Sequence, residues 1–136
     1  MTLNTTGYGL TAVVRLPYDA AVQRTRDELA KEGFGVLTEI DIRATLRKKL
    51  DVEFRPYIIL GACNPPLAHR ALTAEPGIGL LLPCNVVVYA GDQTGESIVS
   101  VIDPLPQFAL TGRADIEPVA REVRARLERV LERLSS

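Results

Sequence analysis

Two dipeptides in this chain recur with proline beside them. Cys63-Asn64 is followed by Pro65, and Cys84-Asn85 is preceded by Pro83. A cysteine thiolate is a nucleophile and a soft-metal ligand, and a helix N-terminus lowers the thiol pKa. Asparagine offers donors and an acceptor without charge, which suits a small polar molecule. Pro65 fits the first turn of a helix capped by Asn64, so free backbone amides are expected beside Cys63. His69, the only histidine, falls one turn into that helix. Cys63, Cys84 and His69 together could ligate zinc or copper. No CxxC or HxxxH spacing accompanies them, so neither a metal nor a cofactor is expected. The plain alternative is that both cysteines are small buried hydrophobes and that His69 is merely exposed.

A second candidate is basic. Arg43 and Arg47 lie four apart, share a helix face, and could hold a carboxylate or phosphate. Lys48 and Lys49 follow them, and such a run is otherwise a solvated helix face. Gly77-Ile78-Gly79 lacks the third glycine and the strand-to-helix setting of a dinucleotide fingerprint. No GxSxG nucleophile elbow occurs, and no catalytic residue is assigned.

The elements that must position these residues follow from periodicity. Gly9–Leu16 alternates as a strand. A helix opens at Tyr18 or Asp19 and runs to Lys31, with Gly33 placed as its C-terminal glycine. Phe34–Ile40 is a second strand, and Asp41 caps a short helix over Ile42–Leu50. Tyr57–Cys63 is apolar on both faces and reads as a central strand. A helix runs from Pro65 to about Glu75. Pro83–Ala90 and Glu96–Ile102 form a hairpin around Gly91-Asp92-Gln93-Thr94-Gly95. Pro104 and Pro106 end the pairing. Val119, Val123, Leu127, Val130, Leu131 and Leu134 mark the apolar stripe of a long C-terminal helix.

Grouped strands with helices on one side argue a two-layer α+β fold with a mostly antiparallel, five-stranded sheet. Its order is strand, helix, four strands with short inserted helices, then helix. The rival is a parallel α/β sheet in which Pro65–Glu75 is a crossover. If the strands ending in Cys63 and starting at Cys84 are antiparallel neighbours, the two cysteines meet at one sheet edge. If they are parallel, the cysteines lie at opposite ends.

The chain has 136 residues, 46% hydrophobic and 24% charged, with a net charge of -1. That is one domain, residues 1–136, and it excludes a disordered chain or a strongly basic nucleic-acid binder. No apolar run reaches the ~20 residues of a membrane span. The N-terminus has no basic start and no apolar h-region, so the expected location is the cytoplasm, with reduced thiols.

Three segments carry a family resemblance: Phe34-Gly35-Val36-Leu37-Thr38-Glu39-Ile40-Asp41, Tyr57-Ile58-Ile59-Leu60-Gly61-Ala62-Cys63-Asn64-Pro65, and Ile78-Gly79-Leu80-Leu81-Leu82-Pro83-Cys84-Asn85-Val86. They resemble the domain of unknown function 302 family over about Tyr8 to Leu134. The resemblance implies a two-layer, TATA-binding-protein-like α+β fold with an antiparallel sheet, and a homodimer; it implies no catalytic residue. DNA binding does not follow from the fold. Three readings are therefore open: binding of a small polar ligand at an edge formed by Cys63-Asn64 and Cys84-Asn85 with His69, thiol redox or metal chemistry at the cysteines, and a structural homodimer.

Overall fold

The computed structural model describes residues 3–135, so Met1, Thr2 and Ser136, the ends of the single-domain reading, lie outside the described residues. Its elements in chain order are β1 (Asn4–Thr5), β2 (Gly9–Val14), α1 (Tyr18–Lys31), β3 (Gly35–Asp41), α2 (Ile42–Leu50), β4 (Tyr57–Cys63), α3 (Pro65–Ala74), β5 (Cys84–Ala90), β6 (Ser97–Ile102), α4 (Pro104–Ala109) and α5 (Glu117–Ser135). Short 3-10 turns cover Pro76–Leu81 and Ala114–Ile116.

The strands form a single sheet in the order β1-β2-β6-β5-β4-β3. Every neighbouring pair is antiparallel, so the fold is α+β and the parallel alternative is excluded. The sheet has six strands rather than five, because Asn4 and Thr5 pair with Thr11 and Leu10. Two residues are too few to show a period of two, so alternation could not reveal this strand. α4 also goes beyond the sequence reading. Pro104 ends the sheet but starts a helix at its first position, where a missing N–H costs nothing.

The predicted caps hold. Asp41 accepts from the Ala44 N–H at 2.9 Å, and Asn64 accepts from the Leu67 N–H at 3.3 Å. Asp103 caps α4 through the Leu105 N–H at 3.0 Å.

Alternation sends Leu60, Ala62, Val86, Val88, Val99 and Val101 to one face of the sheet, all buried. α1 and α5 cover that face, and α3 and α4 pack against α5. The stripe read in α5 is buried along its length. Each such Val or Leu contributes about 1.5–3 kcal/mol on burial. On α1, Ala21, Thr25, Glu28 and Leu29 face inward, while Ala30 is exposed. Among the described residues no element covers the other face of the sheet at its centre, which leaves one bare face. No helix among the described residues is long and apolar enough to cross a membrane.

Candidate functional site

The topology brings the two Cys-Asn dipeptides to one end of neighbouring strands, with Ala62 opposite Cys84 and Gly61 opposite Asn85. The pleat then sets the two positions on alternate faces. Cys84 shares the covered face with Ala62 and is buried. Cys63 falls on the alternate face with Gly61 and Ile59 and is half-buried. Both thiols are free. Burial pushes the Cys84 thiol up to about 11, with nearby Cys63 adding to the effect. Burial pushes the Cys63 thiol up as well. Desolvation therefore outweighs the lowering expected from the start of α3, and neither sulfur is a ready thiolate.

Asn64 is fully engaged in structure. Its Oδ1 caps α3, and its Nδ2 donates to the Glu32 carbonyl at 3.2 Å. The same carbonyl accepts from Arg126 Nη1 at 2.9 Å. Gly33 makes this junction possible: its φ is +82°, and a Cβ there would lie 3.0 Å from Asn64 Nδ2. Behind the dipeptides lies a cavity of about 20 Å³ lined by Phe34, Leu67, Cys84, Phe108, Val119 and others. That holds about one water at most, and its walls are apolar. His69 is exposed, while Leu67 and Ala71 take the inward face of α3. The structure thus places Cys63, Asn64 and Cys84 together without leaving room for a ligand among them, and His69 is turned away.

The basic pair is divided. Arg47 pairs with Asp51 at 3.3 Å and with Glu53. Arg43 borders two open hollows, of about 550 and 280 Å³, that also contain Asp19, Asp41 and Glu53. Acidic neighbours offset the positive field an anion would need.

Another arrangement of polar and aromatic groups lies on the bare face of the sheet. Register builds it in rows. Tyr57, Tyr89, Ile98 and Val13 run side by side across four strands. The next row is Ile40, Ile59, Val87, Ser100 and Thr11. Thr38, Gly61 and Asn85 start a third. Gly61 is needed because Thr38 crosses it: a Cβ there would lie 2.1 Å from Thr38 Oγ1 and 2.9 Å from Pro83 Cγ. The Tyr57 and Tyr89 rings stack with centroids 5.1 Å apart and planes within 5°. Phe54 flanks Tyr57, and the Arg55 guanidinium sits 5.9 Å from the Tyr89 ring.

A hollow of about 410 Å³ opens on this face, with Tyr8, Thr11, Tyr57, Asn85, Val87, Tyr89 and Ser100 in its lining. Burial, then Tyr89 and Tyr8, hold the Tyr57 phenol above its ordinary pKa. Among the residues singled out from sequence, Asn85 alone lines this hollow. The tyrosines escaped notice although a signal existed. The pairing that sets Ala62 against Cys84 also sets Tyr57 against Tyr89.

A charged cluster joins α1 to α5. Buried Glu28 accepts from Lys31 Nζ at 2.6 Å and Arg133 Nε at 3.0 Å. Glu32 meets Arg129 and Arg133, each at 3.0 Å. The Lys31 hydrogen bond, aided by Arg133, holds the Glu28 carboxyl below its usual range against the opposing effect of burial. Every member has an opposite charge beside it, so the cluster clamps two helices.

Comparison with known proteins adds the following. The profile of a family described as Domain of unknown function DUF302 matches residues 10–134. No curated protein matches the chain. The crystal structure of an uncharacterized conserved protein DUF302 from Bacillus stearothermophilus is similar, with a TM-score of 0.84 and 28% sequence identity. The similarity covers 93% of this chain and 97% of that one.

Proposed function

The chain belongs to the DUF302 family, and from that premise we propose that it is a binding protein without a catalytic centre, whose small polar ligand lies on the bare sheet face around Asn85. One observation carries this reading. The hollow of about 410 Å³ combines aromatic walls, an apolar floor and, in the Asn85 amide and the Tyr8, Tyr57 and Tyr89 phenols, polar groups that make no hydrogen bond among the described residues. Its volume falls in the usual range for small-molecule sites. The edge between the two Cys-Asn dipeptides, by contrast, has room for about one water. The raised thiol pKa values count against thiolate chemistry at Cys63 and Cys84.

A thermal-shift screen of small metabolites tests the reading, run on the natural chain and on Asn85→Ala and Tyr89→Ala. A ligand at about 100 times its Kd stabilises by about 2.7 kcal/mol, which is roughly 10 °C for a domain of this size. The expected result is a compound that shifts the natural chain by several degrees and both variants much less. Equal shifts in all three proteins would refute the site.

A second reading concerns assembly, and β3 favours it. This seven-residue edge strand is exposed apart from Val36 and contains no proline, lysine or arginine. Leu37, at a bulge, is 67% exposed, and Ile40 is 48% exposed. Glu39, Asp41 and the bulge temper this edge, but its length and its exposed Leu37 and Ile40 suit antiparallel pairing with β3 of a second copy. Such pairing leaves the bare face free. Sedimentation of the natural chain should then show a dimer, and Leu37→Lys with Ile40→Lys a folded monomer. A monomeric natural chain would exclude it.

A further inference from the structure

The lining of the open-face hollow contains no lysine, arginine, aspartate or glutamate. Arg55, 5.9 Å from the Tyr89 ring, is engaged with the Ala90 carbonyl at 3.1 Å and Asp92 at 3.4 Å. An ion entering the hollow would lose water without meeting an opposite charge, which is unfavourable.

The polar groups can be sorted by what they already do. Thr11 and Ser100 share a hydrogen bond of 2.8 Å, and Ser100 also donates to the Leu10 carbonyl. Thr6 accepts from the N–H groups of Tyr8 and Gly9. These hydroxyls serve the fold. The Asn85 amide and the Tyr8, Tyr57 and Tyr89 phenols make no hydrogen bond within the chain among the described residues. The free inventory is one amide, with donors and an acceptor side by side, and three neutral phenols. Tyr8 is 74% exposed and has no ring partner, so its face is open to a flat apolar body.

We infer that the ligand class of this face is an uncharged planar ring bearing an amide or lactam, read by Asn85 and flanked by the tyrosines. The inference rests on the binding role proposed above and narrows it. A carboxamide or lactam presents the same adjacent donor and acceptor as Asn85, so the two can exchange a reciprocal pair of hydrogen bonds. A carboxylate cannot, and it brings a charge that the hollow does not neutralise.

Benzamide and benzoate test this, because they share a ring and a size and differ in charge and donors. Each is titrated into the full chain while the Asn85 side-chain amide and the tyrosine ring signals are followed by NMR. Concentrations on the order of tens of millimolar suit fragments this small. The expected result is that benzamide moves the Asn85, Tyr57 and Tyr89 signals and that benzoate binds at least tenfold more weakly. Asn85→Ala should lower the benzamide affinity about tenfold. Its fold should persist, since Asn85 is exposed, and an unchanged amide spectrum checks this. Benzoate binding as tightly as benzamide at the same signals would overturn the assignment of a neutral ligand and leave the binding face standing. So would silence from benzamide while a screened metabolite still moves those signals. No compound moving them at all would overturn the face itself.

Discussion

Replacing Glu28 with glutamine should destabilise the protein at neutral pH and cost almost nothing in acid. The carboxylate is 1% exposed and is held by Lys31 at 2.6 Å and Arg133 at 3.0 Å, with Arg24 at 3.7 Å. A neutral amide keeps the shape but loses the charge and turns donors toward cations. Hydrogen bonds to charged groups are worth about 1.5–3 kcal/mol each. The cations reach water and can resolvate, so the net loss should be about 2–3 kcal/mol. The sign with pH follows from the lowered carboxyl pKa. A depressed acid stabilises the fold above the unfolded value, near the ordinary 4.5, and loses that contribution as pH falls through its folded value. Carboxyls remote from the cluster titrate alike in both proteins and cancel in the difference, while Glu32, which shares Arg133, responds to the loss of the Glu28 charge. Urea unfolding of the natural chain and Glu28→Gln should therefore show the full gap at pH 7 and a closing gap below about pH 4. A gap under about 0.5 kcal/mol at pH 7, or the same gap at both pH values, would refute the account of this clamp.

Other expectations concern the sheet and its caps. Gly61→Ala should cost about 1–3 kcal/mol by overpacking against Thr38, and Thr38→Ala in the same chain should return part of it; no recovery in chemical denaturation would count against the contact. Asn64→Ala should lose about 1–2 kcal/mol, since it removes both the α3 cap and a tie to the end of α1, measured as the fall in unfolding free energy. Cys84 should alkylate only as the protein opens, because a thiol near 11 is ionised in roughly one molecule per thousand at pH 8. Half-buried Cys63 should label first, and mass spectrometry showing equal rates would contradict the burial of Cys84.

The fold class was legible because its signals are local and redundant. Asp41 and Asn64 announce helix starts, and the stripe from Val119 to Leu134 announces a buried helix face. The antiparallel placement of the two Cys-Asn dipeptides was foreseen as one of two alternatives. What escaped was the consequence of the pleat. Cys63 and Cys84 come from adjacent rows of neighbouring strands, so alternation sets one position on the covered face and the next on the other. Asn64 looked like a ligand group because its other partner, the Glu32 carbonyl, arrives from a distant loop. Glu28 drew no notice, although its spacing from Ala21 and Thr25 sets it on the buried stripe of α1. The tyrosine row needed register, which no single strand contains.

The chain has no tryptophan and four tyrosines, and three of these line the open-face hollow. Its ultraviolet emission and near-ultraviolet dichroism therefore report mainly on the uncovered surface, with the Tyr57–Tyr89 stack as the dominant chiral chromophore. The interior adds only the weak bands of Phe34 and Phe108, and the helix layer adds Tyr18 at the start of α1. A solution change that disturbs only the outer aromatic rings would look like unfolding in these spectra, while loosening of the helix layer would register only through these lesser reporters.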